Sequence, residues 1–470
     1  MAGGAIGLII AGMANNDVLA WLEQNRSEHL ERLLTFLRFP TISAQAAHAA
    51  DMTACGEWLI GQFARAGARA ELLPTGGHPA VFAEAGPKDS PITLLIYGHY
   101  DVQPAGEEGL WRSPPFEPLV RDGAIYARGA ADDKGQLFTH LLAAEAWAKT
   151  TGSLPIRVKY LIEGEEEIGS SHLAGLIRAN RARLACDYVA LSDTAKLDAQ
   201  TPALTYSTRG LVYKQIDVTG PSKDLHSGVY GGTVANPAEV LARVLASLHD
   251  EQCRVAIPGF YEDVCELSPQ ERIALNRAPF DEASFLEQTG SPAVCGEPGY
   301  TTIERRGARP ALDVNGLCSG YVGEGASTII PSRAFAKVSM RLVPDQDPEK
   351  ISEAFDRAVR AACPPTVRLS IQTFSKASPY VCPLDSPGVQ AAMKAMEEGY
   401  GRPPGLIREG GTLPILPLFK SELGADSLML GFCVSDCNAH SANEFFHVAD
   451  LEAGARSAAL LLSEIAQSVR

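Results

Sequence analysis

The stretch IRVKYLIEGEEEIGS, residues 156–170, joins an apolar run to a crowded acidic one. The run Ile156–Ile162 has the length and composition of a strand buried on both faces, which is typical of a parallel sheet covered by helices. Four carboxylates then fall within five positions, at Glu163, Glu165, Glu166 and Glu167. Taken alone, this acidic segment fits a solvated turn before a helix as well as it fits a set of reacting groups.

Two further apolar runs are followed at once by side chains that could bind a ligand. His99 and Asp101 come after Ile92–Tyr97, and Asp193 comes after Tyr188–Leu191. In open α/β sheets ligands bind outside the carboxyl ends of the strands, so we expect these groups to meet in space. Considered one at a time, a polar strand end or an Asx turn would explain each of them equally well.

Two more places add a further carboxylate and a second imidazole. Asp132 precedes a predicted helix at Gly135–Thr150, where it could cap free N–H groups or bind a metal. His440 follows a predicted strand at Ser427–Cys433, although lone histidines are more often structural. Two imidazoles and three carboxylates, one of them shared, suffice for two divalent metals with a common water. Because no thiol is among them, we expect zinc, manganese or cobalt.

Length and periodicity predict two domains. The 470 residues exceed what one hydrophobic core usually organises. Helix-like and strand-like segments alternate over the first 200 residues, which predicts an α/β layered domain, and from Tyr206 half-exposed strands predict an α+β insertion. We therefore predict an α/β domain at 1–205 and 384–470, interrupted by an α+β domain at 206–383. Within the insertion, Ile257–Ile303 is rich in Pro and Gly and is expected to form a loop.

Charge and cysteine usage limit the partners and the compartment. The formal net charge of −15 argues against a nucleic acid or an anionic membrane as partner. The ten cysteines include no C-x-x-C pair, which favours a reduced, cytoplasmic setting. The apolar patch AIGLIIAGM, residues 5–13, has no basic residue before it and is too short to span a bilayer. We expect a frayed leader there, with a start at Met13 as the alternative.

Seven motifs in a fixed order then give the chain a family likeness. They are HYD at 99–101, ADDKG at 131–135, EGEEEIGS at 163–170, SD at 192–193, DLHSGVYGG at 224–232, REGGT at 408–412 and AHSANE at 439–444. From about Asp17 to the C-terminus the chain resembles the M20 metallopeptidases, in particular the cytosolic nonspecific dipeptidase and carnosinase branch. The resemblance implies a mixed-sheet di-metal catalytic domain, split by an inserted lid and dimerisation domain.

The resemblance also implies two divalent ions per subunit, zinc first and manganese or cobalt as alternatives. Two ligand groups are implied, one of them His99, Asp132 and Asp193 and the other Asp132, Glu167 and His440. Asp101 would sit behind His99 as its orienting partner. A cis peptide would join Asp132 to Asp133.

The implied chemistry is hydrolysis of the peptide bond of dipeptides or short peptides. Glu166 matches the general base that takes a proton from a metal-bridging water and later gives it to the leaving amine. The hydroxide so formed would attack the scissile carbonyl. An N-acyl amino acid deacylase of the same family is the alternative. A binding protein that has lost the chemistry is opposed by the presence of all five ligands and of Glu166.

In the insertion, the resemblance assigns substrate contacts and an interface. His226 would stabilise the oxyanion and reach the site of the other subunit of a homodimer, while Arg341 would bind the terminal carboxylate of the peptide. Thr328 and Thr412 match further substrate contacts. The plain alternatives are a turn residue for His226 and an exposed strand charge for Arg341.

Overall fold

The structure is a computed structural model that describes residues 2–277 and 280–468, with side chains described from Met13 onward. The chain forms two compact units. The first comprises residues 1–206, 382–407 and 418–470, and the second comprises 207–381 and 408–417. The segment 408–417 thus belongs to the second unit, whereas the sequence division had included it in the first.

The elements up to residue 208 form most of the first unit. The helices are α1 (Ala2–Gln24), α2 (Arg26–Leu37), α3 (Ala49–Arg65), α4 (Lys134–Thr151), α5 (Leu173–Ala179) and α6 (Arg181–Leu184). The strands are β1 (Arg69–Leu73), β2 (Ala80–Ala85), β3 (Thr93–His99), β4 (Leu119–Arg121), β5 (Ala124–Tyr126), β6 (Arg157–Glu163), β7 (Tyr188–Leu191) and β8 (Ala203–Thr208).

The elements from residue 210 to residue 381 lie in the second unit. The strands are β9 (Gly210–Thr219), β10 (Leu225–His226), β11 (Ala311–Ser319), β12 (Ile329–Ile330), β13 (Arg333–Leu342), β14 (Arg368–Ala377) and β15 (Tyr380–Val381). The helices are α7 (Ser227–Tyr230), α8 (Pro237–Ala246), α9 (Pro269–Leu275), α10 (Glu282–Thr289), α11 (Thr302–Ala308) and α12 (Pro348–Ala362).

The C-terminal part returns mainly to the first unit, although one of its strands and one of its helices extend into the segment 408–417 of the second unit. Its helices are α13 (Pro387–Tyr400), α14 (Ile415–Leu423) and α15 (Val448–Ser468). Its strands are β16 (Gly405–Glu409), β17 (Asp426–Gly431) and β18 (Phe445–His447). No helix of the described residues is both long enough and apolar enough to cross a membrane.

A mixed sheet forms the centre of the first unit, as the family resemblance implied. Seven of its strands follow the order β1-β2-β6-β3-β7-β17-β8. The inner strands β6, β3, β7 and β17 are parallel, while β2 and β8 pair antiparallel to β6 and β17. In β3 and β6 every residue but the first is buried, which explains their continuous apolar sequence. The helix α15 packs on α4 and α13.

A four-stranded antiparallel sheet in the order β11-β13-β9-β14 forms the second unit, together with helices. Burial alternates residue by residue along β9 and β13, as expected for strands with one covered face. Val212, Ile216 and Val338 on that face belong to one apolar core with Leu241 of α8 and Phe355 of α12. The prediction of an α+β fold for this part of the chain is therefore confirmed.

Three local expectations were wrong. The stretch Ile257–Ile303 is not a plain loop, because it contains α9, α10 and the start of α11. The apolar patch at residues 5–13 is helical, as part of α1, whereas a frayed segment was expected. The pattern of Asp17–Phe36 predicts a single helix, but α1 ends at Gln24 and α2 begins at Arg26, so Asn25 separates two helices. The Trp21 carbonyl accepts both the side-chain Nδ2 of Asn25, at 2.8 Å, and its backbone N–H, at 3.1 Å.

Candidate metal centre and catalytic site

The candidate ligands lie at the carboxyl ends of three adjacent parallel strands. His99 is the last residue of β3, which lies between β6 and β7 in the sheet. Glu167 lies in a single 3₁₀ turn, Glu166–Ile168, directly after β6, and Asp193 follows β7 by two residues. In an extended chain, consecutive side chains point to opposite sides. Because Glu166 and Glu167 lie in a turn, their side chains are not bound by that alternation. This edge of the sheet is where α/β proteins bind ligands.

Two loops add the remaining groups. Asp132 lies in the loop that enters α4, and the peptide between Asp132 and Asp133 is cis, as the resemblance implied. His440 lies between β17 and β18 in a left-handed conformation with φ of 60°. Asp132 and His440 therefore come from segments of the first unit that are far apart in the sequence, and both lie at the same edge of the sheet.

The carboxylate of Asp132 is shared by two groups of ligand atoms. Its Oδ1 lies 3.0 Å from His99 Nε2, and its Oδ2 lies 3.0 Å from His440 Nε2. Asp193 Oδ2 is 3.9 Å from His99 Nε2, and Glu167 Oε2 is 3.2 Å from His440 Nε2. Within each group all ligand atoms fall within 4.8 Å of one another. Asp132 is therefore placed to bridge two cations.

The chemistry of the donor set fits two divalent ions. His99 is fully buried, and its Nε2 forms no hydrogen bond although a carboxylate oxygen lies 3.0 Å away. A buried nitrogen without a partner is costly, and a cation shared with the carboxylate would satisfy both. Imidazole nitrogens and carboxylate oxygens, without a thiolate, suit zinc, manganese or cobalt.

Asp101 fixes the ligands on two neighbouring strands. Its carboxylate accepts the backbone N–H groups of Glu166 at 3.2 Å and of Glu167 at 3.1 Å. His99 Nδ1 lies 3.1 Å from the Asp101 carbonyl oxygen and 3.4 Å from the nearer carboxylate oxygen. The backbone carbonyl therefore makes the shorter contact with the imidazole, while the carboxylate holds the glutamate turn. This second task was not predicted from the sequence.

Glu166 differs from the other glutamates because its carboxylate is not engaged. No described residue hydrogen-bonds to it, although the backbone N–H of Glu166 is bound by Asp101. Burial, and to a smaller degree the charges of Glu167 and Asp132, raise the pKa of Glu166 above its ordinary value against the opposing effect of His99. A free carboxylate beside the ligand groups can accept and return a proton.

The other two glutamates of the acidic stretch hold the turn in place. The Glu163 carboxylate accepts hydrogen bonds from the Tyr97 hydroxyl and, at 2.9 Å, from the Ser170 hydroxyl. Burial raises the pKa of Glu163 to about 7. Glu165 pairs with His172 Nδ1 at 2.8 Å. These contacts lie on either side of Glu166–Ile168, so both side chains fix the turn that carries the candidate base and ligand.

Two supporting residues were missed in the sequence. Gln103 donates from Nε2 to Glu167 Oε2 at 2.9 Å, which orients that carboxylate toward His440. Glu444 is fully buried, and its carboxylate accepts the backbone N–H of Asp132 at 3.1 Å. Burial, and next the charge of Asp132, raise the pKa of Glu444 to about 6. The only available signal was that Glu444 ends the AHSANE motif and that Gln103 follows HYD by two positions.

The four candidate substrate residues lie in the second unit, where Arg341 bonds directly to Thr412 and His226 precedes the residue that bonds to Thr328. His226 lies in β10, which pairs antiparallel with β12. The backbone N–H of the next residue, Ser227, donates to the Thr328 carbonyl at 2.9 Å. The imidazole Nδ1 of His226 accepts the N–H of Gly228 at 2.9 Å. Arg341 Nη1 donates to the Thr412 hydroxyl at 2.7 Å.

Comparisons with known proteins identify the family and several relatives of the chain. Residues 95–464 match the model of peptidase family M20/M25/M40. Over 439 residues the chain is 31% identical to the Cys-Gly metallodipeptidase dug1 of Schizosaccharomyces pombe, covering 90% of this chain and 92% of that protein. It is 28% identical to the Beta-Ala-His dipeptidase of Homo sapiens, covering 84% and 80%.

The solved structure of an M20 family metallo-carboxypeptidase from Sulfolobus solfataricus superposes with a TM-score of 0.81. The sequence identity is 33%, and the match covers 94% of this chain and 99% of that one. The matched family region includes every candidate ligand from His99 to His440. The chain belongs to peptidase family M20 and resembles its dipeptidase and carnosinase branch.

Proposed function

We propose that this protein is a metallodipeptidase that hydrolyses the peptide bond of dipeptides or short peptides. The observation that carries the proposal is the shared carboxylate of Asp132, with the unengaged carboxylate of Glu166 beside the same two ligand groups. The similarity to proteins named Cys-Gly metallodipeptidase and Beta-Ala-His dipeptidase supports the substrate class.

The residues that would hold the ions follow from the two ligand groups. His99, Asp132 and Asp193 would hold one ion, and Asp132, Glu167 and His440 the other. Zinc is our first expectation, with manganese and cobalt as alternatives, since this donor set accepts all three. Two bound divalent ions supply a water of lowered pKa and polarise the scissile carbonyl.

The protein's own groups would then move the proton and hold the geometry. Glu166 accepts the proton of the attacking water and delivers it to the nitrogen of the departing amine. Asp101 keeps Glu166 and Glu167 at fixed positions through their backbone N–H groups. Because the Glu166 carboxylate has no other partner to release, proton transfer requires no prior rearrangement of the turn.

Substrate recognition is proposed for residues of the second unit. Arg341, oriented by Thr412, offers a planar guanidinium that suits the carboxylate of a peptide. His226 would donate to the oxyanion, and Thr328 would make a further polar contact. We also propose a homodimer through the second unit and a cytoplasmic location, for which the absence of a C-x-x-C pair and the family resemblance are the support.

The decisive experiment separates metal binding from chemistry. Glu166→Gln should retain metal at the wild-type stoichiometry, measured by atomic emission, and lose hydrolysis of a dipeptide such as Cys-Gly. Glu71→Gln is the matched control, since the partner of Glu71 among the described residues is Arg183 in a surface ion pair. Full activity of the Glu166 variant would refute the assignment.

A second assay distinguishes the substrate class. The metallated wild-type protein is tested on dipeptides and on N-acetyl amino acids that share the same C-terminal residue. A dipeptidase needs the free α-amine and should hydrolyse only the former. Faster turnover of the acetylated compounds would indicate a deacylase instead.

A further inference from the structure

Two arginines in the second unit are held against one short segment. Arg209 Nε donates to the Gly410 carbonyl at 3.0 Å, and its backbone N–H donates to the Gly411 carbonyl at 3.0 Å. Arg341 Nη1 donates to Thr412 Oγ1 at 2.7 Å. A Cβ at Gly410 would lie 3.0 Å from Arg209 Nη2, so the glycine makes room for this guanidinium. Consecutive positions of the segment therefore orient two cationic side chains.

Neither guanidinium is paired with a carboxylate of the described residues. Other arginines of this unit are paired, among them Arg272 with Glu304, Arg309 with Glu297 and Arg408 with Glu271. Burial, and next the charge of Arg341, lower the pKa of Arg209 to about 10. The positive charge of Arg209 is therefore poorly compensated in the protein alone.

The acidic groups around Arg209 do not remove this excess. The charges of Asp313 and Glu409 favour the protonated form of Arg209, but neither carboxylate lies within ion-pair distance of its guanidinium. The Oε1 atom of Glu409 is already bound by the N–H groups of Gly410, at 2.6 Å, and of Gly411, at 3.2 Å. A third arginine, Arg306, repels Arg209 as well. An anion bound here would gain from all of these unbalanced charges.

We propose that Arg209 forms a second anion subsite beside Arg341, so that preferred substrates carry Asp or Glu at the C-terminal position. One carboxylate fills the fork of one guanidinium, so two adjacent and unpaired guanidinium groups match a dianionic residue. Arg341 with Thr412 takes the terminal carboxylate, and Arg209 takes the side-chain carboxylate. This inference rests on the proposed dipeptidase function.

The kinetic test compares two dipeptides that match in size and differ in one charge. Wild-type protein should hydrolyse Gly-Glu with kcat/KM about tenfold to a hundredfold above that for Gly-Gln, the worth of a charged hydrogen bond. Arg209→Gln should bring this ratio close to one, and Arg209→Lys should retain part of it. Arg357→Gln is the control, because Arg357 is a 70% exposed arginine on α12 of the same unit.

Two kinetic outcomes would overturn the subsite. One is a wild-type ratio near one. The other is an equal loss of kcat/KM for both dipeptides in an Arg209→Gln variant whose unfolding midpoint shows that it folds. Arg209 would then contact a group that both dipeptides share.

A binding test does not depend on catalysis. Metal-free protein is titrated calorimetrically with glutarate, a dicarboxylate, and with glutaramate, its monoamide. Tighter binding of glutarate that is lost in Arg209→Gln supports the subsite, and equal binding of the two compounds contradicts it. If neither dipeptide is hydrolysed by the metallated protein, the dipeptidase proposal fails and the titration alone decides on the anion subsite.

Discussion

Replacing Glu444 with Gln should loosen the loop that carries Asp132, the proposed bridging carboxylate. The Glu444 carboxylate accepts four hydrogen bonds, from Arg128 Nη1 at 2.8 Å and from the N–H groups of Gly129, Ala131 and Asp132 at 3.0, 2.8 and 3.1 Å. Both Glu444 and Arg128 are buried. One side chain thus fixes the position of Asp132 through its backbone.

The magnitude follows from the acceptors that glutamine cannot supply. The amide nitrogen of the glutamine would face either the two backbone N–H groups that Oε1 accepts now, or Arg128 Nη1 and the one backbone N–H that Oε2 accepts. Each buried donor that loses its partner costs about 1–3 kcal/mol. Breaking a buried ion pair costs about 3–5 kcal/mol, which covers part of the same contacts. We expect Glu444→Gln to lower the free energy of unfolding by about 3–5 kcal/mol. Metal affinity should fall about tenfold to a hundredfold, as for other groups that orient ligands.

Glu145 offers a matched control for this prediction. It is equally buried in α4 of the same unit and binds Arg32 at 2.7 Å and Arg65 at 2.9 Å, away from the candidate ligands. Glu145→Gln should cost comparable stability in urea unfolding but leave the zinc dissociation constant, measured by competition with a chromogenic chelator, near that of the wild type. Wild-type zinc affinity in Glu444→Gln would refute the positioning role, whatever its stability.

Three further predictions concern stability. Burial, and next the charge of Arg32, lower the pKa of His29 from 6.5 to about 4, so the folded protein should lose up to about 3 kcal/mol as the pH falls from 6.5 to 4. His29→Phe should lose less between pH 7 and pH 4.5 in urea titrations, and an identical loss would contradict this. In Gly135→Ala the new Cβ would lie 1.9 Å from the Ala130 carbonyl oxygen, so this variant should unfold at a lower urea concentration and bind less metal. Gly61→Ala is the control in α3, where a Cβ meets nothing within 4 Å, and it should be stabilised by about 1 kcal/mol. Chelation should lower the unfolding midpoint, and zinc at a hundred times its dissociation constant should restore about 2.7 kcal/mol; an unchanged midpoint would argue against a folded-state metal site.

Burial periodicity explains which parts of the fold could be predicted. The strand β7 has the predicted bounds, because a short apolar run is visible in the sequence itself. The helices α9–α11 were missed although their N-caps are visible. Ser268 caps α9, and Thr301 with Glu304 forms a capping box at α11. The many Pro and Gly residues of this stretch indicate a loop. Because the helices are short, their capping residues indicate them rather than a periodic apolar face.

In the candidate site, too, some residues could be predicted and others could not, because the ligands and the groups that support them obey different constraints. A ligand must stand at a strand end or in a loop entering a helix, so its position along the sequence is restricted and its motif can be recognised. A supporting group needs only to reach the ligand's backbone from anywhere in the fold. Gln103 reaches Glu167 across 64 positions and Glu444 reaches Ala131 across 313, and no local pattern encodes such contacts. Since a shared carboxylate tolerates little displacement between two cations, these distant contacts determine whether the predicted ligands can act together.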